Sequence, residues 1–344
     1  MKKRNLLAGL AGLAVAGIAT KLLMRPDDVS WSAAARDLRH AEDSYFVTVG
    51  GVRLHYLDSG PEDGPTIFLI HGFVSSSQVW GDIFLPLVEA GFRVIAPDLA
   101  GYGFSEKPRE FEYTIEKQAE LVIGLMDRLG FASVDLVGSS YGGAIAAICA
   151  LDYPDRINRL VLVDAIINND ATRQPLLQLA LLPGMGELIC PFLLDSKTLM
   201  RWRMGRIYHR ANVHLMTEDR LRMRHLPLRT ARTHHAVSRT LRNWNAVRVE
   251  NEARHITQPT LILWGDSDLD TPLEHGKLLL REIPDSRLFI FRNCGHIPQE
   301  EYPELFVQFL DSFLHAGEIS ISRVTAAEPA ENQDAVSVRS LSAP

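Results

Sequence analysis

Gly138-Ser139-Ser140-Tyr141-Gly142 carries the pattern G-x-S-x-G. It follows the apolar run Val134-Asp135-Leu136-Val137 and opens a stretch rich in alanine and isoleucine. A strand that turns sharply into a helix needs small residues two positions either side of the apex, where side chains would collide. Gly138 and Gly142 hold those positions for Ser140. Ser139 would have Val137 and Tyr141 there, so Ser140 is the apex. A serine at a helix N-terminus also favours developing negative charge. The chemistry available is nucleophilic attack on a carbonyl. The plainer reading, an idle serine in a glycine-rich turn, is weakened by the strand-then-helix context.

Acyl transfer needs more than a nucleophile. Two backbone N–H groups must meet the carbonyl oxygen as it becomes an oxyanion, each worth about 3–4 kcal/mol in the transition state. One is the N–H after the nucleophile, here Tyr141. The other comes from the loop after an earlier strand, and Ile70-His71-Gly72-Phe73 offers Phe73. Serine also needs an imidazole to take its proton, and the imidazole needs a carboxylate to fix its tautomer. Asn293-Cys294-Gly295-His296 supplies His296, and Gly265-Asp266-Ser267-Asp268-Leu269-Asp270 supplies Asp268. The chain order Ser140, Asp268, His296 is that of the hydrolase version of the triad. Asp266, Asp270 and Asp164 stand as other acids at the same edge.

These motifs require a scaffold that ends several strands on one side. Tyr45 to Val49 and Val52 to Leu57 alternate apolar and polar around Gly50-Gly51, a hairpin signal. Short apolar runs follow: TIFLI from Thr66, RVIAP from Arg93, VDLVG from Val134, RLVLVD from Arg159, TLILWG from Thr260 and RLFIF from Arg287. Such runs suit strands of a parallel sheet covered on both faces. Helical stretches separate most of them: Gln78 to Ala90, Thr114 to Leu129, Tyr141 to Tyr153, Pro272 to Ile283 and Pro303 to His315. The pattern predicts one mostly parallel α/β sheet. Residues 166–258 carry no good strand pattern and are expected to form a helical cap.

The chain has 344 residues, with 46% apolar and 23% charged residues and a net charge of −6. That is globular usage with no basic signal for nucleic acid. Three scattered cysteines exclude a disulfide framework and a thiolate zinc site. His209, His214 and His234-His235 come without clustered carboxylates, so no metal is expected. The first residues, Met1-Lys2-Lys3-Arg4, precede an uncharged apolar run from Leu6 to Thr20, and Leu22-Leu23-Met24 continue it beyond Lys21. Nineteen helical residues rise about 28 Å, close to the bilayer core. Residues 1–26 are therefore expected to anchor the chain in a membrane. The positive charges put the catalytic domain outside the cytoplasm. Cleavage as a signal peptide after Ala14-Val15-Ala16 is the alternative, giving a secreted domain. The hydrolase domain is expected over 40–316, and 317–344 reads as a disordered tail.

With these motifs the chain resembles the α/β-hydrolase superfamily over about Tyr45 to His315. APDLAGYGFSEKP from Ala96 is similar to the loop after the fourth strand in cap-bearing members. The family's G-x-x-D before a helix falls on Gly265 to Asp268 and selects Asp268 over its neighbours. Its G-H before the last helix falls on Gly295-His296. The resemblance implies an eight-stranded sheet flanked by helices, with the cap inserted after strand 6. Epoxide hydrolases and haloalkane dehalogenases carry aspartate at the elbow, so serine argues against both. Carbon–carbon bond hydrolases usually extend the oxyanion loop with Gly-Pro-Gly, where this chain has Phe73-Val74-Ser75-Ser76. The chain is most similar to esterase and monoacylglycerol-lipase-like members, some of them membrane-anchored. The expectation is a cofactor-free serine hydrolase of small-molecule or lipid esters. A carbon–carbon bond hydrolase or cofactor-free haloperoxidase on the same residues is the alternative. The cap has nine leucines between Leu176 and Met200, then fourteen Lys or Arg against four acids from Lys197 to Arg254. Leucines packed on the sheet with solvated arginines are expected. The other reading is a lid with an acyl surface and a basic flank.

Overall fold

The computed structural model describes residues 28–170, 181, 185–316 and 341–342. The expected membrane segment 1–26 lies outside them, as does 317–344 except for Leu341–Ser342. Among the described residues no helix is long and apolar enough to cross a membrane.

β1 (Ser44–Val49) and β2 (Val52–Ser59) form the expected hairpin, with Val49 opposite Val52. Gly50 and Gly51 close it at φ 54° and 80°, the two positive dihedrals that a type I′ turn needs. Six strands then lie parallel: β3 (Thr66–Ile70), β4 (Arg93–Pro97), β5 (Val134–Ser139), β6 (Ile157–Val163), β7 (Thr260–Gly265) and β8 (Ser286–Phe291). The sheet order is β1-β2-β4-β3-β5-β6-β7-β8-β9. These eight strands are the expected α/β-hydrolase sheet. The ninth, β9 (Leu341–Ser342), is antiparallel to β8, so part of the tail read as disordered pairs with the sheet.

The continuous apolar runs work because alternate residues serve opposite faces. Ile67, Leu69, Val161, Val163, Leu261 and Leu263 enter one core cluster with Trp80, Phe84, Phe306 and Phe309. Phe68, Ile70, Leu160, Leu162, Ile262 and Trp264 enter the other, with the elbow helix and the cap. The covering helices are α1 (Phe84–Glu89), α2 (Ile115–Leu129) and α3 (Tyr141–Asp152) before the cap. After it come α9 (Leu273–Glu282), α10 (Pro298–Glu301) and α11 (Pro303–Ala316). The expected helix over Gln78 to Ala90 splits into a 3-10 turn, Ser77–Trp80, and α1. Pro86 explains the break: in a continuous helix its ring would meet the carbonyl four residues back, whereas the first turn of α1 needs no N–H there.

Between β6 and β7 the described residues form helices and no strand: α4 (Met185–Asp195), α5 (Lys197–Ile207), α6 (Glu218–Leu228), α7 (Thr233–Arg242) and α8 (Val247–Glu252). This is the predicted cap.

Candidate active site

Ser140 sits between β5 and α3 with φ 57° and ψ −119°. A residue with a side chain adopts this region only when its surroundings hold it there, and such strain clusters at functional sites. The holding is steric. A Cβ at Gly138 would lie 2.3 Å from the Gly142 carbonyl oxygen, and one at Gly142 would lie 2.2 Å from that of Ile70. The elbow therefore presses against the end of β3. Gly142→Ala is expected to cost at least about 1–3 kcal/mol through overpacking. A lowered Tm together with weakened fluorophosphonate labelling checks this, and an unchanged Tm would refute it.

The loop after β3 lies beside the serine. A Cβ at Gly72 would come within 3.0 Å of Ser140 Cβ. The Phe73 and Tyr141 N–H groups donate to no acceptor among the described residues, which leaves both free for an oxyanion. His71 fixes this loop. The Leu99 N–H donates to His71 Nε2 at 3.0 Å, so Nδ1 carries the proton and donates to the Gly72 carbonyl at 2.8 Å. Burial lowers the His71 pKa, against the opposing pull of Asp98. The ring stays neutral and serves the loop rather than the proton transfer. The rings of Phe73, Tyr141 and Trp244 pack on one another, with centroids 5.0–6.3 Å apart.

Past β7 and β8, Asp268 and His296 meet. His296 Nδ1 donates to Asp268 Oδ2 at 2.6 Å. Asp268 Oδ1 accepts the Asp270 and Thr271 N–H groups at 2.7 and 3.1 Å, and the Thr271 hydroxyl donates to Oδ2. A Cβ on Gly265 would lie 1.9 Å from the Gly295 carbonyl oxygen. The loops bearing acid and base thus touch where one has no side chain. Burial by itself would raise the Asp268 carboxyl, but His296 and the hydrogen bonds outweigh it and hold the carboxyl below its ordinary value. For His296, burial pulls the pKa down and the Asp268 carboxylate overcomes it, so the ring titrates above its ordinary value. Nε2 and the Ser140 hydroxyl line one cavity and form no hydrogen bond to each other. Relay contacts of this kind commonly tighten only when substrate arrives.

The other acids separate by position. Asp266 is exposed, and Asp270 is half-buried opposite Arg206 at 3.8 Å. Asp164, at the end of β6 with φ 43°, is fully buried behind Asp268 and accepts the Gly265 N–H at 2.9 Å. Burial and the Asp268 charge push the Asp164 pKa well above its ordinary value. Donor atoms of Asp164, Asp268 and His296 lie within 4.8 Å of one another. Because His296 Nδ1 is already bound to Asp268, the cluster reads as an acid–base set.

These groups open on a cavity of about 680 Å³ between sheet edge and cap. Its cap wall includes Leu194, Leu199, Met200, Leu228 and Leu241. The expectation that cap leucines pack on the sheet and cap arginines face solvent holds in part: Leu194, Leu228 and Leu241 join the core cluster of the sheet, and Arg201, Arg210 and Arg222 are exposed. Several of the same leucines also wall the cavity, because the cap arches over the sheet edge. Other arginines turn inward: Arg224 and Arg220 are largely covered and pair with Glu300, and Arg203 lines the cavity. Arg203 shares a face of α5 with Met200, Met204 and Ile207, at the spacing of an inward stripe; that spacing was the available sequence signal. Glu301 was not singled out either. It accepts the Gly295 N–H at 2.7 Å and the His209 N–H at 3.0 Å, which ties the histidine loop to the cap.

Residues 65–188 match the family model for the alpha/beta hydrolase fold. The chain is 32% identical over 285 residues to an uncharacterized protein of Mycobacterium tuberculosis, covering 79% of this chain and 81% of that one. It is 30% identical over 304 residues to a 2-hydroxy-6-oxononadienedioate/2-hydroxy-6-oxononatrienedioate hydrolase of Comamonas testosteroni, covering 82% and 99%. Among solved structures, it superposes on a membrane phospholipase A at TM-score 0.67 and 26% identity, covering 91% of this chain and 98% of that one.

Proposed function

The chain belongs to the α/β-hydrolase family, and within it we propose a serine hydrolase of carboxylic esters, with long-chain acyl esters as its substrates. The observation that carries this reading is a strained serine beside two unengaged N–H groups, at the floor of a cavity walled by leucines. His296 takes the Ser140 proton as Oγ attacks the ester carbonyl. The oxyanion accepts from Phe73 and Tyr141. Collapse breaks the carbon–oxygen bond, and the protonated His296 gives its proton to the departing alcohol. Water, deprotonated by His296, then attacks the acyl-enzyme and releases the acid. Asp268 keeps the ring proton on Nδ1 throughout.

Carbon–carbon bond hydrolysis is the second reading, favoured by the similarity to the Comamonas testosteroni hydrolase. The two differ in the leaving group. An alkoxide departs once protonated, whereas a carbon leaving group needs a conjugated electron sink in the substrate. A p-nitrophenyl ester series from acetate to dodecanoate, run beside a 2-hydroxy-6-oxo-dienoate, separates them. The ester reading expects kcat/KM to rise with acyl length as more of the apolar cavity is filled. Turnover of the dienoate alone would replace it with the second reading.

A further inference from the structure

We propose that Arg203 forms an anion subsite within the cavity, and that the substrate is an ester carrying a carboxylate or phosphate group a few bonds from its scissile carbonyl. This deepens the ester-hydrolase reading and rests on it.

Three guanidinium groups line the cavity, Arg203, Arg206 and Arg224, and they are not equally neutralised. Arg224 donates to Glu300 Oε1 through Nη2 at 2.5 Å and Nε at 3.2 Å. Arg206 lies 3.8 Å from Asp270 and over the Trp202 ring. Arg203 donates through Nη2 to the Val74 carbonyl at 3.2 Å, and among the described residues no carboxylate lies within ion-pair distance of it. A guanidinium has five N–H donors, and this is the one hydrogen bond Arg203 makes to a described residue. Burial and the charge of Arg224, partly offset by the more distant Asp270 carboxylate, push Arg203 down to about 10, which still leaves it a cation at neutral pH. An unpaired cation in an apolar-walled cavity is costly to keep. Packing does not require it, since the Met200, Met204 and Ile207 stripe would accept an aliphatic residue.

Position gives the group its use. Val74 follows Phe73, and Val74 itself has φ 52°, rare for a β-branched residue. From the Phe73 N–H to the Val74 carbonyl the chain spans at most about 7 Å. An anion held by Arg203 therefore lies no more than on the order of 10 Å from the oxyanion, up to about eight bonds along a substrate. The planar fork of arginine suits the paired oxygens of either group.

Arg203 also braces the oxyanion loop, so the test must separate recognition from bracing. Two matched pairs do this: p-nitrophenyl hexanoate against the p-nitrophenyl monoester of hexanedioate, and a monoacylglycerol against its 3-phosphate. Wild type is expected to prefer the anionic member of at least one pair, and which pair responds tells carboxylate from phosphate. Arg203→Met should cut that anionic-to-neutral ratio of kcat/KM by about 10- to 100-fold, with Arg203→Lys between the two. A brace alone would lower both members together and leave the ratio unchanged, which overturns the proposal. Hydrolysis of none of the four esters would count against the ester reading instead. In that case, tryptophan fluorescence binding of hexanedioate and hexanoate to Ser140→Ala decides. Tighter binding of the dianion that is lost in Arg203→Met upholds the subsite, and equal binding rejects it.

Discussion

Ser140→Ala is expected to lower ester turnover by on the order of 10⁶-fold, as serine triads do when the nucleophile is lost, while the circular dichroism spectrum stays unchanged. The size follows from what the variant keeps. The Phe73 and Tyr141 N–H groups and the cavity remain and still bind the carbonyl, but no covalent step is available. A fluorophosphonate probe should label the wild type at Ser140 and leave the variant unlabelled. The chain contains an instructive internal control. Ser44 Oγ lies 3.1 Å from His55 Nε2, and His55 Nδ1 lies 2.7 Å from Asp98 Oδ2, the same three residue types in the same sequence of contacts. Yet Asp98 also accepts the Ser77 and Phe104 N–H groups, and Ser44 does not line the cavity. Without free donors and room for a carbonyl, this arrangement is a structural hub. Labelling at Ser44, or retained turnover in Ser140→Ala, would refute the assignment of the nucleophile.

Ser140 was legible because the constraint on it is local. The collisions at Gly138 and Gly142 involve atoms within one turn and the adjoining strand end, so the sequence pattern and the geometry state the same fact. The strands were legible because each apolar run supplies both faces of a covered sheet. Asp268 and His296 were placed by their position past strands, but the bond between them is long-range, and several aspartates shared that edge. What separates Asp268 from Asp270 is orientation within one turn, since the Asp270 and Thr271 N–H groups both point at Asp268. Arg203 was hidden for a different reason. Charge counting gives a basic segment without saying which cations turn inward. That depends on Glu300, far along the chain, having taken Arg224 and left Arg203 without a carboxylate.

Asp268→Asn is expected to reduce kcat by about 10⁴-fold, the loss that follows when the imidazole tautomer is no longer fixed. An asparagine here can still accept the Asp270 and Thr271 N–H groups through Oδ1. Its amide then turns N–H toward His296 Nδ1, which forces the ring proton onto Nε2, where the serine proton must arrive. The pH profile should move as well. The reaction needs a neutral imidazole, and the Asp268 carboxylate raises the His296 pKa against the pull of burial. The wild-type rise of kcat/KM with pH is therefore expected above the ordinary histidine range. In Asp268→Asn the strongest opposition to burial is gone and only Asp270 and Asp164 still pull upward, so that rise moves to lower pH while the plateau falls. Asp164→Asn is the discriminating partner. Asp164 accepts from Gly265 N–H, burial and the Asp268 charge disfavour its ionised form, and asparagine keeps the acceptor without a charge. Its kcat should stay within about tenfold of wild type, because Asp268 alone bonds the imidazole and supplies the largest upward pull on it, and both survive. Pre-steady-state measurement across pH 5 to 10 on both variants checks the assignment. A large loss in Asp164→Asn with little in Asp268→Asn would transfer the acid's role to the end of β6.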